Sequence, residues 1–301
     1  MGVMPFSHLL LALAVVAVWG TNFVVIKLGL AELPPFLFAV LRFALSAFPF
    51  LLFVRKPAVA WWRLAAFGVL LGAGQFGLLF LAMRADISPG LASLVIQTQV
   101  FFTIALVALT TGERFKPLQF GALALAVAGM GVIALNLEAS VTAWGLALVL
   151  AAALCWALGN LVVRGAGRGV DMLGFMVWSS VFAVPPLLLM SLVFDGWPAM
   201  RDGVLHASTG TWLAVAWQAV GNTLFGYGAW GWLLNRHPAA TITPMALLVP
   251  VFGFSASAWW LGESLPAWKL GAAALVMTGL LLNLLAARTR AASSALPSVS
   301  R

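Results

Sequence analysis

Ten apolar runs of about 20 residues or more follow one another along this chain. Each is long enough to cross a hydrocarbon core of ~30 Å. Turn chemistry separates them: Leu33-Pro34-Pro35, Arg55-Lys56-Pro57, Ser88-Pro89-Gly90, Lys116-Pro117 and Arg164-Gly165-Ala166-Gly167-Arg168-Gly169. The pattern predicts membrane spans near 7–30, 34–54, 62–83, 87–111, 117–136, 143–164, 172–194, 211–234, 240–261 and 267–287. Proline opens several of them, where the missing N–H has no intrahelical partner to lose. The first run, from Leu9 to Leu30, exceeds the ~7–15-residue core of a signal peptide. No Lys or Arg precedes it, so it predicts a retained span. The Ser/Ala-rich stretch 291–301 predicts a disordered tail.

Composition agrees with the pattern. The chain is 63% hydrophobic and 8% charged, where a soluble domain carries roughly 25% charge. The net charge of +8 would suggest nucleic acid in a soluble protein. Here the basic residues are scattered singly or in pairs at span ends, so no nucleic-acid partner is expected. They report orientation instead. With both termini cytoplasmic, Arg55, Lys56, Arg63, Arg114, Lys116, Arg164, Arg168, Arg236, Arg288, Arg290 and Arg301 fall inside. Only Arg84, Arg201 and Lys269 fall outside, while Lys27 and Arg42 lie within spans.

A shift of 150 residues carries Gly112-Glu113, Gly121-Ala122, Ala124 and Gly129 onto Gly262-Glu263, Gly271-Ala272, Ala274 and Gly279. A second echo relates Trp19-Gly20-Thr21-Asn22 to Trp156-Ala157-Leu158-Gly159-Asn160 with a one-residue slip. Such an echo implies duplication. Five spans per half make the copies inverted, and inverted repeats place a pathway at their interface. The expected fold is an all-α integral membrane protein of ten transmembrane helices, two inverted five-helix repeats around a central cavity. The halves are expected at 7–137 and 142–287.

Trp19-Gly20-Thr21-Asn22 in the first span, Arg42-Phe43 in the second and Gly-Glu closing spans four and nine resemble the EamA-type family of the drug/metabolite transporter superfamily. The resemblance covers about residues 7–287. Within that family, four stretches look most like bacterial cysteine/O-acetylserine exporters. They are the run from Val18 to Lys27, Gly90 to Val95, Phe101 to Ile104 and Leu247 to Val251. The resemblance implies a carrier of the bacterial inner membrane that exports amino acids or related small metabolites. Relatives with the same skeleton export other amino acids or drugs, since fold does not fix cargo.

Deep polar residues mark the candidate pathway, because each needs a partner or a wet cavity. Asn22 and Asn160 occupy equivalent places in the two halves, with Trp19 and Trp156 three and four residues earlier on the same helix face. A Trp wall beside an amide suits a zwitterion; the alternative is an interhelical amide bond with Trp as packing. Gln75, Gln97 and Gln99 are further candidates. Gln97 and Gln99 are two apart, so a regular helix would turn one toward the cavity and the other toward a neighbour. Asn222, Tyr227 and Trp230 would give span eight a polar-aromatic face, or pack the core. Arg42 either holds a substrate carboxylate or anchors a backbone carbonyl, and Lys27 is placed to snorkel outward. Pro244 and Pro250 interrupt span nine as a gate or a static kink. Gly68/Gly72 and Gly129/Gly131 read as close helix contacts.

All eight acidic residues fall at span ends or in loops, which favours facilitated export by alternating access over proton coupling. Cys155 is the only cysteine, and His8, His206 and His237 form no ligand cluster in sequence. No metal or other cofactor is expected. The intramembrane serines lack a nearby His, Lys or Asp partner in the same span, so no enzyme is expected. Gly165-x-Gly167-x-Gly169 reads as a turn, since no strand precedes it. The expected partners are amino-acid substrates and the lipid bilayer, and the sequence sets no oligomeric state. A drug or organic-cation carrier is the alternative within transport; a non-transporting sensor is the alternative outside it.

Overall fold

A computed structural model describes residues 4–112, 117–137, 140–167, 169–237 and 239–294. Among them, nine helices are long and apolar enough to cross a membrane. In chain order these are α1 (Phe6–Gly29), α2 (Pro35–Leu52), α3 (Trp61–Ala85), α4 (Pro89–Thr110), α5 (Pro117–Leu135), α6 (Ala143–Gly165) and α7 (Met172–Asp195), then α9 (Thr243–Leu261) and the span Ala267–Ala286 of α10. The helix α10 itself runs Ala267–Ser294, into the stretch expected as tail, and 295–301 lie outside the described residues. The remaining expected span is α8, over 209–236, built of consecutive helical runs Thr209–Ala216, Trp217–Phe225 and Gly226–Arg236. It is helical throughout but falls short of the others in hydropathy, because Gln218, Asn222, Thr223 and Tyr227 occupy its middle. A short helix, Trp197–His206, joins α7 to α8.

The boundaries follow from local chemistry. Pro35 and Pro89 sit in the first turns of α2 and α4. The Thr142 and Asp171 side chains accept backbone N–H groups at the starts of α6 and α7, as good N-caps do. Gly112 and Gly262, 150 residues apart, end α4 and α9 with φ of +70° and +64°. That left-handed geometry is open to glycine at little cost.

Duplication is visible in the packing. A Cβ on Gly129 would stand 2.6 Å from Val276 and 3.1 Å from the carbonyl oxygen of Ala272; one on Gly279 would stand 2.6 Å from that of Ala122. Gly129 and Gly279 are partners under the 150-residue shift, as are Ala122 and Ala272, so α5 and α10 grip each other reciprocally. This is the contact expected of inverted repeats about a two-fold axis. Gly68 and Gly72 likewise seat α3 on α7, against Ser179 and Ala183. Gly131 does not follow the expectation: nothing lies within 4 Å of its Cβ position. It is two residues from Gly129, and so turned off the contact face. Phe53, Leu109 and Trp259 are among the large apolar side chains exposed on the outside, a surface suited to lipid rather than water.

Candidate functional site

Six of the described spans leave α-helical geometry, and four of them match in kind across the two halves. Helices α3 and α8 loosen into π-helix over Leu70–Gly77 and Trp217–Phe225; α4 and α9 tighten into 3₁₀-helix over Ile96–Thr98 and Thr243–Leu247. The starts are offset equally, 70 to 217 and 96 to 243. Such breaks redirect side chains and backbone groups. At matching places in two repeats they point to a binding site between them.

A cavity of about 580 Å³ lies there, a size suited to a small ligand. Trp19, Asn22, Gln75, Gln97, Gln99, Trp156, Asn160, Asn222, Tyr227 and Trp230 all line it. Arg42, Pro244 and Pro250 do not. The cavity reaches Met172 and Thr243, the first residues of α7 and α9, at the end of the bundle where α1 begins. Its lining at the opposite end, Ile26, Leu79 and Ile96, is buried.

One wall is aromatic. The Trp19 ring lies 5.5 Å from Tyr227 and 5.1 Å from Trp230, and its Nε1–H donates to the carbonyl of Asn222 at 3.3 Å. The indole rests directly on Gly226, where a side chain would collide with it. The polar lining is amide-rich, and much of it is paired. Asn22 exchanges hydrogen bonds with Gln218 on α8, at 2.7 and 3.4 Å. Asn160 donates to Gln99 Oε1 at 2.8 Å and Thr103 Oγ1 at 3.2 Å. Each of these residues thus lines the cavity and also ties two helices together. The expectation that Gln97 and Gln99 point apart fails. The 3₁₀ turn between them lets both reach the cavity, while Gln97 also donates to the carbonyl of Ala246 at 3.3 Å. Gln75 is 3% exposed, and its Oε1 has no partner.

Gln218 was not singled out by the sequence reading, although it precedes Asn222 by one helical turn in an apolar span. Removing either member of the Asn22–Gln218 pair strands a buried amide, at ~1–3 kcal/mol. We expect Asn22→Ala and Gln218→Ala each to destabilise by that amount, and the double variant by less than their sum. A double-mutant cycle on thermal unfolding in detergent measures this.

Arg42 sits behind the wall rather than in it. It is fully buried, with Cζ 3.5 Å from the centroid of Phe76, a cavity-lining ring. Its Nη2 donates to Thr223 Oγ1 at 3.1 Å, while Nε and Nη1 have no partner. Lys27 points to the far end, donating to the carbonyls of Met83 and Arg84.

The two prolines of span nine flank its change from 3₁₀ to α geometry. Pro244 belongs to the opening 3₁₀ turn of α9. Pro250 is the third residue of the α-helical part, Leu248–Leu261, where an N–H has no intrahelical acceptor. His8 and His237, far apart in sequence, meet with Nδ1 and Nε2 2.7 Å apart. No group of three metal-ligating side chains occurs among the described residues.

A carboxylate joins the two halves at the far end of the bundle. Glu263, from the end of α9, accepts Ser88 Oγ–H and Ser257 Oγ–H, the Gly90 N–H at 3.0 Å, and an ion pair from Lys269 at 3.1 Å. Lys269 is fully buried. Ser88 and Gly90 belong to the first half and Glu263 and Lys269 to the second, so this cluster ties the repeats together. The sequence placed Glu263 at a span end but gave no sign of these partners. Its repeat mate Glu113 lies outside the described residues.

A membrane-embedded bundle of paired repeats, with a cavity at their interface reaching one end and a polar clasp at the other, is the architecture of a carrier. The EamA-like transporter family matches the chain twice, over residues 6–135 and 143–285. The chain belongs to that family and to the drug/metabolite transporter superfamily; it is a multi-pass membrane transporter, not an enzyme. A Salmonella typhimurium protein named "Probable amino-acid metabolite efflux pump" is 41% identical over 289 residues, covering 93% of this chain and 95% of that one. Its namesake in Escherichia coli K12 is 40% identical over 288 residues, covering 94% and 96%. A solved crystal structure shares the fold with a TM-score of 0.58 at 19% identity, covering 95% of this chain and 99% of that one.

Proposed function

We propose that this chain exports amino acids and related small metabolites across the bacterial inner membrane by alternating access, with both termini cytoplasmic. Cysteine and O-acetylserine head the candidate substrates. The observation that carries the reading is the composition of the cavity. Amides of both halves and three Trp rings line it, and among the described residues no Asp, Glu, Lys, Arg or His does. The Asn and Gln amides can accept from a substrate ammonium and donate to its carboxylate, and the rings suit varied side chains. The printed names of the Salmonella and Escherichia relatives support the amino-acid class. The clasp at Glu263 and the reach of the cavity toward the termini support this reading, in which rocking of the repeats would open the other end. Among the described residues no carboxylate lines the cavity to carry a proton, which favours facilitated transport.

The test is flux in proteoliposomes loaded with cysteine, O-acetylserine, threonine, methionine or phenylalanine, with and without a pH gradient. Amino-acid release that ignores the gradient is the expected result. Movement of tetraphenylphosphonium but of no amino acid would overturn it in favour of a cation carrier. Asn160→Ala is expected to reduce amino-acid flux about tenfold, the worth of one good polar contact, with its folded yield intact.

A further inference from the structure

We infer that Arg42 is a charge filter: an uncompensated buried cation behind the Phe76 wall that makes this carrier prefer ligands bearing a carboxylate and reject amines lacking one. The inference rests on the reading of the cavity as the substrate site.

A guanidinium stays protonated in proteins, and burying its charge without a counter-ion is costly. Arg42 has no carboxylate partner: its polar contact is the neutral Thr223 hydroxyl, and two of its nitrogens have none. The acidic side chains among the described residues are engaged elsewhere. Glu263 holds Lys269, Asp86 the Thr142 hydroxyl, Glu32 the start of α8, Asp195 the start of α2 and Asp171 that of α7, while Asp202 sits on the short connecting helix. Stacking on the Phe76 face offsets part of the burial cost but neutralises no charge.

The field of this cation reaches the cavity. The guanidinium lies 3.5 Å from the Phe76 centroid, and a ligand touching the ring adds ~3.5–4 Å. One charge about 7 Å away, at an effective dielectric constant of ~20, biases binding by at least about tenfold between an anionic and a cationic ligand. Among the described residues, none that lines the cavity carries an opposing charge. The filter therefore acts on substrate charge without contact, and it lets the amides and Trp rings tolerate varied side chains.

The test measures ligand-induced shifts in the melting temperature of the purified protein. One series is methionine, N-acetylmethionine and methionine methyl ester; a second pair is 3-phenylpropionate and 3-phenylpropylamine. Carboxylate-bearing members are expected to bind at least about tenfold more tightly than the ester and the amine. Two variants remove the net charge differently. Arg42→Gln deletes the cation, and Thr223→Asp places a carboxylate beside it. Both are expected to lose the preference. Because Thr223→Asp fills the empty partners of Arg42, it serves if Arg42→Gln fails to fold. Equal binding of acids and amines by the unaltered protein, or a preference that survives in a folded Arg42→Gln or Thr223→Asp, would overturn the inference. Preference for 3-phenylpropionate with no response to the methionine series would instead overturn the amino-acid reading and leave the filter standing.

Discussion

Glu263→Ala is expected to destabilise the protein by about 3–5 kcal/mol, the cost of leaving one member of a buried ion pair alone. Lys269 is fully buried, and its remaining polar contact is the carbonyl of Ser264 at 3.2 Å. The Ser88 and Ser257 hydroxyls and the Gly90 N–H would lose the same acceptor. Thermal unfolding in detergent measures the loss. Stability alone does not separate a scaffold from a gate, so the pair is also removed together. Glu263→Leu with Lys269→Met takes out both charges and is expected to recover most of the stability, as apolar replacement of buried pairs often does. If the cluster holds the far end shut, this double variant folds and yet transports poorly, with the far end open to labelling. Full recovery of both stability and flux would make Glu263 a structural residue only.

Gly226→Val is the second large effect. Trp19 lies on this glycine, so a branched side chain drives the indole toward the cavity and breaks its bond to the Asn222 carbonyl. Overpacking of this kind costs ~1–3 kcal/mol, and we expect flux to fall by more than tenfold because the displaced ring fills the pathway. Gly228, two residues on, is the control. The nearest atom to its Cβ position is Leu173 Cδ1 at 3.6 Å, an ordinary contact, so Gly228→Val should transport nearly normally. Equal loss in both variants would mean that α8 tolerates no added bulk, and that Trp19 is not the cause.

The sequence made the architecture legible because a bilayer demands long apolar runs and penalises everything else. The Gly-Glu echo made the repeat legible, and the reciprocal contact of Gly129 and Gly279 shows what the echo was for. What stayed hidden was local departure from the ideal helix. A two-residue spacing sends Gln97 and Gln99 apart only on a regular helix, and the 3₁₀ turn at Ile96–Thr98 reverses that conclusion. The polar stretch in α8 that pulls its hydropathy down is the same stretch that relaxes into π-helix and meets Asn22. Long-range pairing was also out of reach: nothing near Glu263 in the chain announces Ser88, and nothing near Arg42 announces Phe76. Arg42 was legible as a buried charge but not as one screened from the cavity by a ring.

The most direct test of the central claim, that this cavity holds the transported molecule, is substrate protection of a thiol placed in it. Thr103 lines the cavity beside Asn160, and Cys155 is the only native thiol to remove. In a Thr103→Cys, Cys155→Ser protein that still transports, saturating amino-acid substrate is expected to slow maleimide labelling severalfold. Unchanged labelling in the presence of a substrate that the same protein moves would place the pathway elsewhere.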